Sequence, residues 1–348
     1  MRNTLMTVAI LIVLISAPAH WAQGARLRQG PPLPPSHLRT IALPPSHPIP
    51  TIGGCQVFPS NNVWNSDISA LPVHPNSANY IHSFWSYPLH AYFSTPETGP
   101  ADLHYDGIPY VVVPATQPMI PVQLTTWASA SDPGPYPIPT PMPVEERYVV
   151  TSDNDRHGEI VQSGTCKLYE IYRGFANADG SWTMAGGAVW DLRSNQLRSA
   201  ASVDAAGFPI LAGLVKYDEV ASGQINHALR FLLPYTQNAH LWPAVAHDGT
   251  YTDPNLPPEG LRLRLKASVD ISGYPPTIKV ILLALKTYGM LLGDQGATSG
   301  YIQLSGAPDT RWNLSDLATL TRIRLTDFEA VDESGLMISP NSGQVAGR

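Results

Sequence analysis

Short runs in which apolar and polar residues alternate dominate the chain, and they predict strands. Residues 108–113 (Ile-Pro-Tyr-Val-Val-Val) form a β-branched run between Asp106-Gly107 and Pro114, which reads as a buried strand. Strand patterns at 147–150, 159–161 and 166–173 are separated by polar turns and predict antiparallel hairpins. A further strand is expected over 181–192, where Gly186-Gly187 marks a bulge or a close approach of ligand or backbone. Ile225, His227, Leu229, Phe231 and Leu233 fall on one face of another strand, and Asn226, Ala228 and Arg230 on the other. Leu261, Leu263 and Leu265 alternate with Arg262, Arg264 and Lys266, a half-buried strand with a basic outer stripe.

Helical periodicity is rarer. Ile278, Ile281, Leu282 and Leu285 repeat at helical spacing between Pro276 and Gly289, widened by Val280 and Leu283, and predict one largely buried helix. Residues 217–223 and 314–321 read as short helical turns, and Trp64 as a core anchor near the start of the globular region. The 132–143 run has proline at nearly every second position, so it cannot pair inside a sheet and must be a rigid surface loop. The fold class predicted is mainly β: an antiparallel, jelly-roll-like β-sandwich with one buried α-helix and long Pro-rich loops.

Composition sharpens this picture. Proline occurs 35 times and charged residues make up only 14%, which describes a loop-rich chain with few surface helices. Residues 1–19 have the positive start, apolar run and Ala-Pro-Ala end of a signal peptide, so secretion is expected, extracellular or periplasmic. Residues 20–54 repeat Leu-Pro-Pro-Ser-His and read as a polyproline II linker. A single globular domain is expected over 55–332, with a loose polar tail at 333–348. Cys55 and Cys166 are the only cysteines, and in an oxidising compartment one disulfide is the natural reading. The net charge of −6 gives no attraction to nucleic acid or anionic membrane, and no later segment is long enough to insert in a bilayer. A monomer is expected.

Candidate chemistry is dispersed. The chain has no Walker loop, dinucleotide fingerprint, nucleophile elbow, zincin helix or cysteine zinc framework, so no metal or other cofactor is expected. Acids and aromatics spread over strands suit polysaccharide chemistry, in which sugars stack on rings and carboxyls move protons. Glu170, beside Tyr169, is a general acid if its face is buried and a solvated glutamate if it is not. Asp191 follows Trp190, as an acid beside a stacking ring or as a turn residue before Arg193. His227 is a base or a hydrogen-bonded core residue. Arg230, Lys266, Tyr169, Trp190 and Trp242 complete the expected substrate contacts, and Asp294 in Gly-Asp-Gln-Gly is a turn residue or a ligand.

Several longer runs carry a resemblance. CKLYEIY at 166–172, GLVKYDEV at 213–220, HALRF at 227–231, KASVDIS at 266–272, KTYGM at 286–290 and GAPDTRW at 306–312 resemble a widespread group of secreted bacterial proteins without a described activity. The resemblance implies secretion and one folded unit, with no catalyst to carry over. The functional expectation is therefore a glycan-cleaving enzyme with Glu170 and Asp191 as acid and base and His227 and Arg230 assisting. Two others stand beside it: a non-catalytic carbohydrate-binding or adhesion module, and a polysaccharide lyase.

Overall fold

The alternating runs become ten strands in two main sheets. The computed structural model describes residues 48–95, 107–146, 154–296 and 300–347. The signal peptide, the linker as far as residue 47 and the strand expected at 147–150 lie outside them. In chain order the strands are β1 (Leu89–Tyr92), β2 (Tyr110–Val113), β3 (Gly158–Gln162), β4 (Lys167–Tyr172), β5 (Gly186–Asp191), β6 (Leu229–Leu233), β7 (Arg262–Leu265), β8 (Met290–Gln295), β9 (Ile302–Ser305) and β10 (Phe328–Ala330). A four-stranded sheet runs β5-β4-β3-β2, and a six-stranded sheet runs β10-β7-β8-β6-β9-β1.

The protein is mainly β, but its pairing is mixed. The hairpin β3-β4 and its neighbour β5 are antiparallel, as their polar turns predict. The pairs β2-β3, β6-β8 and β9-β1 are parallel. Parallel neighbours need long crossover connections, and the loops of this chain supply them in place of hairpins. In place of the antiparallel arrangement expected from the sequence, the two main sheets are mixed.

Each face has a distinct cover. Leu229, Phe231 and Leu233 of β6 join Leu263, Leu265, Met290, Leu292 and Ile302 in one core, into which Ile278, Ile281, Leu282 and Leu285 of the helix Pro276–Thr287 pack. Leu283 of that helix is exposed instead of widening the buried face. Val161, Leu168, Ala188 and Trp190 of the four-stranded sheet share a second core with Leu291, Ala228, Phe208 and the helical turn residues Ile210 and Leu211. Trp64 anchors this core edge-on against Phe208, 5.3 Å between ring centroids. Ile160, Tyr169 and Ile171 point the other way, under Tyr136 and Ile138 of the proline-rich loop.

Both ends of the globular region differ from expectation. Thr51–Ile52 pairs with Cys55–Gln56, and Pro48 O accepts a bond from Asn226 Nδ2, so the folded unit starts before Cys55. Cys55 and Cys166 form the disulfide across a separation of 111 residues, a closure that removes about 4 to 5 kcal/mol of unfolded-state entropy in the chain model. The polar tail is docked, not loose: Val63 N donates to Gly343 O and Gly343 N to Asn195 O, while Leu336 is buried.

The basic stripe of β7 is the second correction. Arg262 and Arg264 face inward and are buried. Arg262 bonds Tyr288 O, Val63 O, Ser66 O and Glu333, while Arg264 grips Glu329 and the carbonyls of Ile68, Ser69 and Leu71. A planar five-donor head suits such carbonyl-rich sites, where a solvated face would waste it.

Candidate functional site: a buried acid network around Arg230

Alternation on β6 turns Arg230 away from the helix-covered core and toward the four-stranded sheet. Its guanidinium is fully enclosed, with Nε on Asp204 Oδ2 at 2.6 Å, Nη1 on Ser305 Oγ at 3.0 Å and Nη2 on Asp294 Oδ2 at 3.3 Å. Glycines make the space: a Cβ on Gly293 would stand 2.7 Å from Arg230 Nε, and one on Gly213 2.6 Å from Arg230 Cβ. Asp204 is completely buried, and its other oxygen accepts Phe208 N at 2.9 Å. Asp294, at the end of β8, keeps 23% of its side chain exposed, so the network reaches the surface there.

Across the core, β3 and β4 place two glutamates side by side. Glu159 pairs in register with Glu170, and both are wholly buried. The Trp190 indole donates to Glu170 Oε2 at 2.8 Å, and Leu211 N reaches Oε1 at 3.4 Å. Burial lifts Glu170 to about 7, with the neighbouring Glu159 carboxyl and then these two donors drawing it back. Glu159 has no such donors on either oxygen. Burial, then the charge of Glu170, pushes it well above the ordinary value.

The segments leading into β3 add further polar groups. Burial raises Glu145 well above its ordinary value, helped by the charges of Asp155 and Glu146 and opposed by Arg230. His157 stacks on Tyr172 with 5.1 Å between centroids, and burial lowers it to about 4, so its ring is neutral. Tyr172 is pushed up to about 12 by burial and the charge of Asp155.

Asp294 is likewise held well above its ordinary value by burial, against the pull of Arg230 and with the charges of Asp204, Asp248 and Asp155 adding to the rise. Near it Glu259 rises to about 9 through burial and its contact with Asp248, although Thr236 Oγ1 donates to it at 2.9 Å. Burial thus favours the protonated form of these carboxyls, most clearly at Glu259, next to the exposed acids Asp155 and Asp248. Such contrasts in environment separate proton donors from proton acceptors.

The residues singled out from sequence are divided by the fold. Arg230 holds one buried cluster, and Glu170 with Trp190 forms a second beside Glu159 that feels the first through the charge of Asp204. Asp191 joins neither: the strand turns it to the opposite face from Trp190, where it is exposed and holds Arg193 at 2.9 Å. His227 sits before β6 in a separate buried cluster, with Nε2 3.1 Å from Glu219 and 3.3 Å from Lys216 Nζ, and Nδ1 2.8 Å from Ala228 O. Burial raises Glu219, but the charges of Lys216 and His227 bring it down to about 2. Tyr169 lies under the proline-rich loop, edge-on to Tyr136, and Lys266 spends its amine on Thr326 O at 2.8 Å. Trp242 lines an open cavity of ≈ 230 Å³ with His74, Asp332 and Met337, far in sequence from the other members.

Glu145, His157, Glu159, Asp204 and Glu259 were not foreseen. For Glu159 a signal existed: it alternates with Ile160 and shares its face with Val161 in a strand beside a second acid-bearing strand. The others sit in loops, where no periodicity reports on burial. Among the described residues no group of three or more His, Cys, Asp or Glu is placed to hold a metal, and no helix is long and apolar enough to cross a membrane. Fold and site together define a mainly β, disulfide-bonded protein with a buried acid network. Comparison with family models, curated proteins and solved structures gave no match.

Proposed function

We propose that the protein is a secreted enzyme that cleaves extracellular polysaccharide, with acid and base supplied by the surface end of the Arg230 network. The observation that carries this reading is Asp294, a partly exposed carboxyl raised well above its ordinary value and surrounded by other acids. In this scheme Asp294 gives its proton to the glycosidic oxygen as the carbon–oxygen bond breaks. Asp248 takes a proton from the water that attacks the sugar carbon. Arg230 is a positioning residue, and Glu170 acts from inside the network without touching substrate. Asp191 and His227 have no part in it.

The test is release of reducing ends from a panel of neutral and acidic polysaccharides by the secreted protein. Asp294→Asn keeps the shape of the side chain and should lower activity at least 100-fold with the melting temperature unchanged. Full activity in that variant, or no reducing ends from any polymer, overturns the reading. A specific observation favours binding without cleavage: Tyr235 and Tyr251 pack at a tilt with centroids 5.0 Å apart, and Tyr251 is 49% exposed, a surface on which a sugar ring can lie. Polymer retention without product would select that second reading.

A further inference from the structure

Aromatic rings gather at one end of the six-stranded sheet. Strands β6 and β8 are parallel and end there, while β9 and β1 run the other way and start there. Asp294 lies near the end of β8, Tyr235 follows β6 by two residues, and Tyr87 precedes β1 by two. Strands β8, β6, β9 and β1 are neighbours in that order. Three strand spacings, about 14 Å, therefore separate the acid from the start of β1.

The rings touch in series. Tyr251 meets Tyr235 at 5.0 Å between centroids, Tyr235 meets Phe84 at 4.8 Å, and Phe84 meets Tyr87 at 5.3 Å. Phe84 is buried in the helix-covered core and anchors the row. Tyr251 is exposed, Tyr235 and Tyr87 are half-buried, and Trp85, next to Phe84 in the chain, is 60% exposed. Successive rings are turned by 44°, 47° and 63°. They share no plane, so the flat face of a crystalline fibre cannot lie on them all, whereas a single polymer chain can turn from ring to ring.

Both limbs of the row are braced. Ser83 Oγ donates to Asn255 O and Asn76 Nδ2 to Pro254 O, each at 2.9 Å, which ties the short helix Ser77–Ser83 to the loop that carries Tyr251. Asn238 N donates to Tyr251 O at 2.7 Å. Gln295 Nε2 donates to Asp248 O at 2.9 Å, which fixes the same loop to the end of β8 beside Asp294. The acids and the rings are thus held as one unit, and little ordering is needed on binding.

Charge narrows what this end can hold. The chain has no Lys or Arg between Arg230 and Arg262, nor between Lys286 and Arg311, and these two segments supply Asp248, Asp253 and Asp294. At the far end of the row Arg324 has one guanidinium nitrogen on Ser86 O at 2.6 Å. Acids therefore prevail where the sugar bond is to be cut, and a uronate or sulfate there meets like charge.

We propose that Tyr251, Tyr235 and Tyr87 are the subsites for a single chain of neutral polysaccharide running along the end of the sheet to Asp294. The inference rests on the polysaccharide reading, and a binding measurement on the Asp294→Asn protein separates the two. The experiment is calorimetric titration of that protein with soluble β-glucan, galactomannan, dextran, polygalacturonate and chitosan. At least one neutral polymer should bind, with the same affinity in about 0.1 M and about 1 M salt, since screening does not touch stacking on rings. Tyr251→Ala and Tyr87→Ala, each added to Asp294→Asn, should weaken that binding about tenfold with the melting temperature unchanged. Tyr251→Phe keeps the ring and should bind like its parent. Trp127→Ala is the control: Trp127 is 50% exposed but bonded to Ala185 O beside the four-stranded sheet, outside the row, and its loss should change nothing. No binding of any neutral polymer, tighter binding of polygalacturonate or chitosan that salt abolishes, or unchanged affinity in both tyrosine variants would overturn the inference. Binding through the row without reducing ends from the unaltered protein would defeat cleavage alone. Cleavage with undiminished affinity in the tyrosine variants would defeat the subsites alone.

Discussion

Glu159 stands directly opposite Glu170 on neighbouring strands, inside a core that excludes water from both. Two buried carboxyls so placed cannot both ionise without large cost. The native state therefore holds protons that the unfolded chain releases. A carboxyl raised in the folded state stabilises fully below its unfolded value and loses that contribution as pH rises through its folded value. Glu170 moves from 4.5 to about 7 and Glu259 from 4.5 to about 9. Glu219 and His157 have the opposite sign: the Glu219 contribution disappears as pH falls from 4.5 toward 2, and His157, buried neutral, costs stability as pH falls from 6.5 toward 4. The melting temperature should peak near pH 4 to 5 and fall steadily to pH 9. Glu170→Gln should flatten the segment between pH 4.5 and 7, a change on the order of 3 kcal/mol. A melting temperature that rises from pH 5 to 8 would refute the assignment.

Arg230 depends on the glycine that faces it. Gly293→Ala would place a methyl group against Arg230 Nε and, at 3.0 Å, against Asp204 Oδ2. Neither partner can move freely, because Asp204 is also fixed by Phe208 N and Arg230 by Ser305. The expected cost is about 1 to 3 kcal/mol in urea unfolding. Activity on polysaccharide should fall along with it, because the Asp294 carboxyl loses its positioning partner. Gly335→Ala is the control, since a Cβ there meets nothing within 4 Å and its backbone is outside the left-handed region.

Parts of this arrangement could be read before the fold was known. Alternation on β6 correctly turned Arg230 away from Leu229 and Phe231, and the spacing of Ile278, Ile281, Leu282 and Leu285 located the long helix with its buried stripe. The Gly186-Gly187 pair did mark a close approach, with Gly186 lying against Ser202 O. Alternation alone does not say which face is inside, so Arg262 and Arg264 were read as solvated when they are buried. Asp191 beside Trp190 failed for a related reason: neighbours in a strand point to opposite faces, so an adjacent acid and ring cannot share a site. Parallel pairing was invisible because strand periodicity reports faces, not partners: the helix Pro276–Thr287, on the connection between β6 and β8, was located without showing that this connection joins parallel neighbours.

Arg262 supplies the next test. Its charge is fully enclosed and matched by Glu333 at 2.7 Å, with 7% of the glutamate side chain exposed. Removing one member of such a pair leaves the other charge buried without a partner, which costs about 3 to 5 kcal/mol. Arg262→Met should therefore destabilise strongly in urea. The cost should be smaller in Arg262→Met/Glu333→Leu, where neither charge remains. Additive losses in this double-mutant cycle would show that the two charges are not coupled.

The docked tail makes the final case, because its composition gives no hint of its role. Glu333 completes the Arg262 clamp, and Leu336 joins a small core with Ile68, Leu71 and Val331. Gly343 joins the 63 and 195 regions by backbone bonds, and Ser342 O accepts the Trp242 indole at 3.0 Å. Truncation after Asp332 would strip the buried partner from Arg262, open the Leu336 core and free one edge of the Trp242 cavity. Each of the first two losses is worth several kcal/mol at buried positions. Together they are comparable with the whole stability of a typical domain. The truncated chain should therefore fail to fold, or melt far below the intact protein in circular dichroism. A stable truncated chain with an unchanged melting temperature would mean that residues 333–348 are carried by the fold and do not support it. Leu336→Ala separates the contributions, with an expected loss of about 2 to 5 kcal/mol from the core alone.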